Sequence, residues 1–266
     1  MAAYKNPDPS VDDEIKENNE ENKISSEDDY SYREDVYFAF IDVLGFKKTF
    51  DDHKINEKHD DVGKFRDVFN YYFELMNSAK FMIGQSRTKC YAGQTSDSLY
   101  FYTPRSDMLI EFIKVFLHFN LYAMSQGVFF RGGIAKGNLF IRESYQFYGE
   151  SVIFAYLLES SIAKYPVTII DENTYQAIKD FNLPNDLVKN QSGRYYLNIF
   201  AFEKEDVKMA FDEDSYFEMK EINYEFILDN IKKNKILFEY DVKNYEKYTF
   251  LLKEYEEYMN SLNKDE

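Results

Sequence analysis

The sequence has little of what disulfide-bonded, zinc-binding or nucleic-acid-binding proteins need. Cys90 is the single cysteine among 266 residues, which excludes an intrachain disulfide and a Cys-x-x-Cys metal knuckle. Basic residues number 32 against 48 acidic ones, for a net charge of -16, so a general grip on nucleic-acid backbones or anionic lipids is not expected. Walker-loop, Gly-x-Ser-x-Gly and His-Glu-x-x-His motifs are also missing, which removes those enzyme classes.

Long apolar runs are missing as well. No apolar stretch reaches the roughly 20 residues that cross a bilayer, and the first residues are too acidic and polar for a signal peptide. The sequence therefore predicts a cytoplasmic protein. Residues 1–35 hold 12 acidic and 4 basic residues and are expected to form a disordered, solubilising tail.

Aromatic residues are plentiful, with 25 Phe and 24 Tyr, and they suffice for a packed core. Their spacing predicts alternating strands and helices. "VYFAFIDVL" (36–44) has the continuous apolar character of a buried strand, and a helix over 61–81 follows. "RTKCYAGQ" and "SLYFYTP" flank the turn-prone "TSDS" (95–98), which predicts a hairpin.

A second helix over 106–127, with Ser106 as N-cap and Gly127 as stop, leads into a strand over 128–141. The order β-α-β-β-α-β predicts an α+β fold with a ferredoxin-like, palm-type core. We expect one catalytic domain over 36–204 and a helical C-terminal extension over 205–266. Within the first of these the pattern predicts four further elements: a helix at 149–163, a strand at 166–171, a short helix at 172–180 and a strand at 193–202.

Two acidic residues lie at neighbouring ends of the predicted strands. Asp42 ends the first strand and Asp97 lies in the hairpin turn, and the strand order places these two ends side by side. Taken singly, each acid would suit a solvated strand end or turn. As a pair in a partly buried site they repel, and a bound cation or a shared proton relieves the repulsion. Oxygen ligands without His or Cys favour Mg²⁺ or Mn²⁺ over zinc.

Four ordered motifs resemble those of the class III nucleotidyl cyclases. They are "FIDVLGF" (40–46), "TSDSLYF" (95–101), "RGGIAKG" (131–137) and "YGESVIFAYLLES" (148–160). Together they cover residues 36–171 and are more specific than any one alone. "FIDVLGF", "RGGIAKG" and the run "AYLLESSIAKYP" are most similar to the bacterial pyrimidine cyclases of the Pycsar anti-phage defence system.

The resemblance implies roles position by position. Asp42 and Asp97 match the aspartates that bind two Mg²⁺ or Mn²⁺ ions, and the carbonyl of Val43 matches a backbone metal ligand. The turn that approaches the phosphates matches Leu44, Gly45 and Phe46, where a glycine allows close contact. Arg131 matches the motif arginine, which is either structural or acts through phosphate.

Departures from the family pattern shape the expected substrate. Ile153 and Leu157 stand where purine cyclases carry an asparagine and the transition-state arginine. Another cation would have to supply that charge, and the candidates are Lys136, Lys47, Lys48 and Arg194. The family's purine-selecting lysine and aspartate fall near Gly93 and Gln146, so a base other than adenine is expected.

The function that the resemblance implies is a homodimeric pyrimidine cyclase that converts UTP or CTP to cUMP or cCMP and pyrophosphate. Its product would activate a separate effector protein. One alternative is an inactive cyclase-like module that only binds a nucleotide or a partner protein, and another is a structural protein assembled by its helical tail.

The three histidines are not expected to take part in catalysis. His53 and His59 are expected in a solvated segment, and His118 in the core or an interface.

Overall fold

The computed structural model describes residues 31–45, 59–82, 91–142, 146–179, 187–201 and 220–262. Eight strands form one mixed sheet in these ranges: β1 Ser31–Val43, β2 Tyr91–Thr95, β3 Ser98–Thr103, β4 Phe130–Arg142, β5 Gln146–Tyr148, β6 Thr168–Ile170, β7 Val188–Gln191 and β8 Arg194–Leu197. Six α-helices accompany them: α1 His59–Met82, α2 Ser106–Ser125, α3 Glu150–Leu157, α4 Glu172–Lys179, α5 Tyr224–Leu237 and α6 Val242–Leu262. A π-helical turn, Leu158–Ile162, continues α3.

The strand order in the sheet is β2-β3-β1-β4-β6-β8-β7, with β5 paired to β4. β1 runs antiparallel to both β3 and β4, whereas β4 and β6 are parallel. The predicted α+β fold, with a β-α-β-β-α-β core and extra strands, is confirmed. The strand that carries Asp42, β1, lies inside the sheet between β3 and β4.

The two faces of the sheet bury different partners because strand residues alternate between faces. Tyr37, Ala39 and Ile41 of β1 join the large core cluster that includes α1 and α2. Phe38 of β1 packs in the smaller cluster on the opposite face, under α3. The fit there is tight, since a Cβ on Gly133 would lie 2.2 Å from the carbonyl oxygen of Ala155.

The C-terminal helices share the main core. Ile227 and Ile231 of α5, with Tyr248 and Leu251 of α6, belong to the same cluster as the inner face of the sheet. Asn230 donates hydrogen bonds to the carbonyl oxygens at the end of α2, at 3.1 and 2.9 Å. The predicted C-terminal helices therefore pack against α2 and contribute to the main core on that face of the sheet.

Some predicted boundaries were wrong. β1 begins at Ser31 rather than at residue 36, because its first half is polar and exposed and carries no apolar signal. The predicted strand over 193–202 is shorter and pairs with an unpredicted strand, β7, in a hairpin. β5 was not predicted. Residues 1–30, which hold most of the predicted tail, lie outside the described residues.

The start of α2 also differs from the prediction. Arg105 is the N-cap, and no side chain caps the helix, so Ser106 is already helical. Thr103 accepts a hydrogen bond from the Arg105 amide at 3.2 Å, which orders the approach to the helix. The predicted stop is correct, since Gly127 has a φ of +80° just after the helix, a conformation that glycine adopts at low cost.

One helix in the described ranges, α2, is long and apolar enough to cross a membrane. Within the protein, 83% of its segment Met108–Ser125 is buried, so α2 is a core helix of the fold. His118 belongs to this helix and is fully buried. It lies 3.0 Å from the Tyr71 hydroxyl through Nε2, so the prediction of a core histidine is confirmed.

Candidate active site

Asp42 lies near the end of β1, between two strands that both present side chains to it. Its backbone pairs with Ser98 of β3 and with Arg131 of β4. Ser98 Oγ donates to Asp42 Oδ1 at 3.4 Å. The carboxylate keeps 24% of its surface exposed, so it stands at the rim of the core with one side open to a ligand.

Asp97 occupies the turn between β2 and β3, one residue before the backbone partner of Asp42. Burial raises the pKa of Asp42, and the charge of Asp97 raises it further, while Arg131 opposes both. The negative charges of the two acids therefore repel each other, and a bound cation would relieve that repulsion.

Arg131 connects two acids on this face. Its Nη2 lies 3.7 Å from Asp42 Oδ2, and its Nε lies 2.6 Å from Glu159 Oε1. Nη1 also donates to the carbonyl oxygen of Ala163 at 3.5 Å. Since both carboxylates share one guanidinium, Arg131 only partly neutralises Asp42.

Glu159 was not predicted as a site residue. It lies in the π-helical turn after α3, and only 4% of its side chain is exposed. Burial raises its pKa to about 7, and the charges of Asp42 and Asp97 add to the rise, whereas Arg131 lowers it. An acid inside the apolar run "AYLLESSI" was the available sequence signal, because a buried carboxyl needs a partner.

The charges of the site suit a divalent cation. Asp42, Asp97 and Glu159 interact electrostatically around one arginine, which leaves the cluster acidic. No group of three or more His, Cys, Asp or Glu side chains able to hold a metal forms in the described ranges. Two carboxylates still match the way Mg²⁺ binds, with one or two carboxylates and with substrate phosphates and water completing its shell. By their charge and their oxygen atoms, Asp42 and Asp97 therefore fit such an ion.

Lys136 is not brought to the acid pair within one chain. It lies five residues beyond Arg131 on β4, so its side chain faces the opposite side of the sheet. Its Nζ pairs with Asp35 at 3.1 Å and lies 5.6 Å from the centre of the Tyr37 ring. A catalytic role for Lys136 at its own chain's Asp42 has no support from this geometry.

The turn after Asp42 is only partly described. The Leu44 amide donates to the carbonyl oxygen of Phe129 at 2.8 Å, so in this structure it extends the pairing of β1 with β4. Gly45 is exposed, with a φ of +76°, and it turns the chain away from the strand. Phe46, together with Lys47 and Lys48, lies outside the described residues.

The two positions linked to base selection lie apart from Asp42. A Cβ on Gly93 would come within 2.3 Å of the Tyr100 ring, so the glycine makes room for that aromatic side chain. Gln146 is exposed at the start of β5. Neither residue has a described contact with the Asp42 side chain.

The outer surface of α3 is apolar and uncovered. Ile153 and Leu157, four residues apart on the helix, are 57% and 45% exposed, and their neighbours Phe154 and Tyr156 are exposed as well. Tyr156 makes an edge contact with Phe40 of β1, with ring centroids 5.6 Å apart. This row of four residues, called the α3 face below, lies on the Asp42 side of the sheet.

A cleft of ≈ 330 Å³ opens elsewhere, on the side of the sheet occupied by the π-helical turn. Arg194 lines it, as do Lys164, Tyr165, Tyr196 and Phe250. Asp42, Asp97 and Arg131 do not line it. The cleft is therefore separate from the acid pair, and Arg194 belongs to the cleft.

Three solved structures with similar folds are nucleotidyl cyclases. The guanylyl cyclase domain of the RhoGC fusion protein from the aquatic fungus Blastocladiella emersonii, in a monomeric double mutant, is 16% identical, with 64% of this chain and 97% of that chain covered and a TM-score of 0.45. A rhodopsin-guanylyl cyclase catalytic core with converted specificity, in complex with ATPαS, is 19% identical, with 63% and 97% covered and a TM-score of 0.42. A Trypanosoma brucei adenylate cyclase in its monomeric state is 12% identical, with 62% and 89% covered and a TM-score of 0.43.

No protein-family model matches the chain, and no curated protein is significantly similar to it. The similar structures are low in identity and TM-score. We therefore base the function on the residues of the site.

Proposed function

We propose that the protein is a nucleotidyl cyclase that forms a 3′,5′-cyclic pyrimidine nucleotide from UTP or CTP. One observation carries the proposal: Asp42 and Asp97, from adjoining strand ends, interact beside Arg131 on an open rim of the sheet. An acid pair of this kind is costly to fold without a cation. Phosphoryl transfer needs such a cation, because it proceeds by positioning and charge neutralisation.

In the reaction the ribose 3′-oxygen forms a bond to the α-phosphorus, its proton leaves, and the bond from that phosphorus to pyrophosphate breaks. Mg²⁺ or Mn²⁺ ions, when bound, would lower the pKa of the 3′-hydroxyl and neutralise the phosphate charge. Asp42, Asp97 and the Val43 carbonyl would hold them. Arg131 keeps Asp42 oriented through its 3.7 Å contact, and Glu159 anchors Arg131 in turn.

The preference for a pyrimidine rests on the residues that differ from purine cyclases. Gly93 has no side chain and Gln146 carries no charge, so neither supplies the charged groups with which adenylate cyclases read adenine. Ile153 and Leu157 present apolar surface where those enzymes use polar groups. A smaller base, recognised largely by shape and stacking, suits such surroundings.

The α3 face supports a homodimer as the active form. Four large apolar side chains exposed in a row on one short helix are typical of an interface rather than of a solvated surface. A second copy of the chain would bury this face beside Asp42. In the cell, the cyclic product would act on a separate effector protein in anti-phage defence.

The alternative is a cyclase-like module without catalysis. It is favoured by Ile153 and Leu157, which cannot stabilise developing negative charge. Retention of both Asp42 and Asp97 favours the enzyme, since a binding module gains nothing from a repelling acid pair.

Activity measurements separate the two. Purified protein is incubated with each of the four ribonucleoside triphosphates and Mn²⁺, and cyclic products are identified by mass. We expect product from UTP or CTP, and a loss of at least about 100-fold in Asp97→Asn, because the carboxylate that is removed would hold the cation that neutralises the charge of the reacting phosphates. Asp229→Asn on the exposed side of α5 removes the same charge and should leave the rate unchanged. Product from no nucleotide, or an active Asp97→Asn, would contradict the proposal.

A further inference from the structure

Lys247 of α6 lies where this helix meets the strands of the candidate site. The next residue, Tyr248, makes an edge contact with Phe129 at a centroid distance of 5.2 Å. Phe129 in turn accepts the 2.8 Å hydrogen bond from Leu44. Leu44 lies two residues after Asp42, and Phe129 lies two residues before Arg131. Tyr248 therefore holds α6 against the ends of both strands that form the site.

A second contact fixes the same part of the helix. Phe250 stacks on Tyr165, with centroids 4.5 Å apart and ring planes within 5°. Tyr165 lies two residues beyond Ala163, whose carbonyl oxygen accepts the hydrogen bond from Arg131. Lys247 lies next to one of these anchors and one helical turn from the other, so its backbone position beside Asp42 and Arg131 is well defined.

The ammonium group of Lys247 is within electrostatic reach of the site. Burial lowers its pKa, and the positive charges of Arg131 and Lys243 lower it further, while Asp241 and Asp42 act in the opposite direction. On α6, Lys247 lies next to Tyr248 and one helical turn from Phe250, whose rings pack on Phe129 and Tyr165, and its ammonium interacts electrostatically with the Asp42 and Arg131 side chains.

Lys247 also differs from other half-buried lysines. Lys136 and Lys189 form ion pairs with carboxylates at 3.1 and 2.6 Å. Across the ranges that the structure describes, Lys247 makes neither an ion pair nor a hydrogen bond. A partly buried ammonium without a partner is costly, and a bound anion would remove that cost.

A chain of phosphates is the anion that best fits this arrangement. Arg131 is already shared between two carboxylates, and the α3 face offers no positive charge to a substrate. A nucleoside triphosphate bound at the acid pair would need a cation that remains available, and Lys247 is available.

We propose that Lys247 contacts the phosphate chain of the nucleoside triphosphate substrate and supplies positive charge that α3 lacks. This role rests on the proposed cyclase function. It also makes the C-terminal hairpin of α5 and α6 a part of the active site.

The test compares two lysines of one helix. Lys253→Gln removes the same charge from the exposed side of α6, where Lys253 pairs with Glu257 at 3.5 Å. Binding of 3′-deoxy-UTP and 3′-deoxy-CTP, which lack the attacking hydroxyl, is measured by calorimetry. We expect Lys247→Gln to weaken triphosphate binding about tenfold, Lys253→Gln to change it less than twofold, and Lys247→Arg to restore most of it.

A second readout separates phosphate contact from a structural role. Inhibition by pyrophosphate should weaken in Lys247→Gln as much as triphosphate binding does, while inhibition by the cyclic product, which lacks the two outer phosphates, should stay the same. Urea midpoints report that each variant is folded. If the wild-type chain turns over nucleotide and Lys247→Gln behaves as Lys253→Gln does, this inference alone is overturned. If the wild-type chain binds no triphosphate and makes no product, the cyclase function falls with it.

Discussion

At the scale of single residues, Asp42 and Glu159 are two acids held by one guanidinium in surroundings that favour their neutral forms. Burial is the largest cause of the raised pKa of both carboxyls, and Arg131 offsets only part of it. Folding therefore raises the free energy of the ionised carboxylates. A positive charge placed beside them, from a metal ion or from Lys247, would lower that free energy again.

Glu159 should make stability depend on pH. Its pKa rises from an ordinary 4.5 to about 7 on folding, so the folded chain holds a proton that the unfolded chain has released. The resulting stabilisation is complete below about pH 4.5 and is lost as the pH rises through about 7. We expect the free energy of unfolding of wild type, relative to Glu159→Gln, to fall by about 3 kcal/mol between about pH 4.5 and pH 8.

Urea unfolding of both proteins across this pH range measures that difference directly. Asp42 and other titrating groups are present in both chains, so their effects largely cancel. A difference between the two proteins that stays constant with pH would show that folding leaves the pKa of Glu159 unshifted.

At the scale of elements, the packing of α3 on β4 sets the position of Glu159 and therefore of Arg131. Gly133 allows the helix backbone to approach the strand, because a Cβ there would meet Ala155 and Leu158 at 2.2 and 2.6 Å. The π-helical turn that follows carries Glu159 back toward the sheet. The close packing of α3 on β4 therefore brings the Glu159 carboxylate within contact of Arg131.

Gly133→Ala should separate these elements at a measurable cost. A methyl group that collides with backbone atoms cannot be accommodated by a side-chain rotation, so we expect a loss of about 2 kcal/mol in unfolding free energy. Gly63→Ala is the matched control, since its Cβ would meet nothing within 4 Å on helix α1. There the change should stabilise the protein by about 1 kcal/mol. Denaturant unfolding of the two variants and of wild type measures both effects. A Gly133→Ala midpoint equal to that of wild type would contradict this account.

At the scale of the whole molecule, one core joins the sheet to both the helices before it and the hairpin after it. Tyr248 and Leu251 of α6 are buried with the inner face of the sheet, and the outer face leaves the α3 face exposed. The burial of Tyr248 and Leu251 explains how α6 comes to pack beside the strands of the site. The exposed α3 face leaves an apolar surface for a second copy of the chain.

Replacing part of the α3 face should disrupt the proposed dimer. In Leu157→Lys a charge enters the centre of the apolar row, so we expect light scattering to change from the mass of a dimer to that of a monomer, with cyclase activity lost in parallel. Ile236→Lys is the control, because Ile236 is 71% exposed at the far end of α5. A wild-type monomer, or a Leu157→Lys dimer, would be inconsistent with this interface.

Much of the fold could be predicted from local patterns. The apolar run 36–44, the turn signal at 95–98 and the helical spacing of 106–127 are short-range features, and the strand order followed from them. β5 and β7 escaped prediction because three- and four-residue strands contain too few positions for an alternation to show. The polar start of β1 was not predicted, because its residues pair with β4 through the backbone and show no apolar pattern in the sequence.

The sequence by itself determined that Asp42 ends a buried strand and that Asp97 lies in a turn on a neighbouring hairpin, because hydrophobic periodicity and turn chemistry are local. Only the tertiary structure decided that Glu159 binds Arg131, that Lys136 faces the other side of the sheet, and that α6 packs beside Phe129 and Tyr165. These three facts depend on how far a helix approaches a strand and on where a distant helix packs. Such distances arise from side-chain packing across the whole core, which no local pattern encodes.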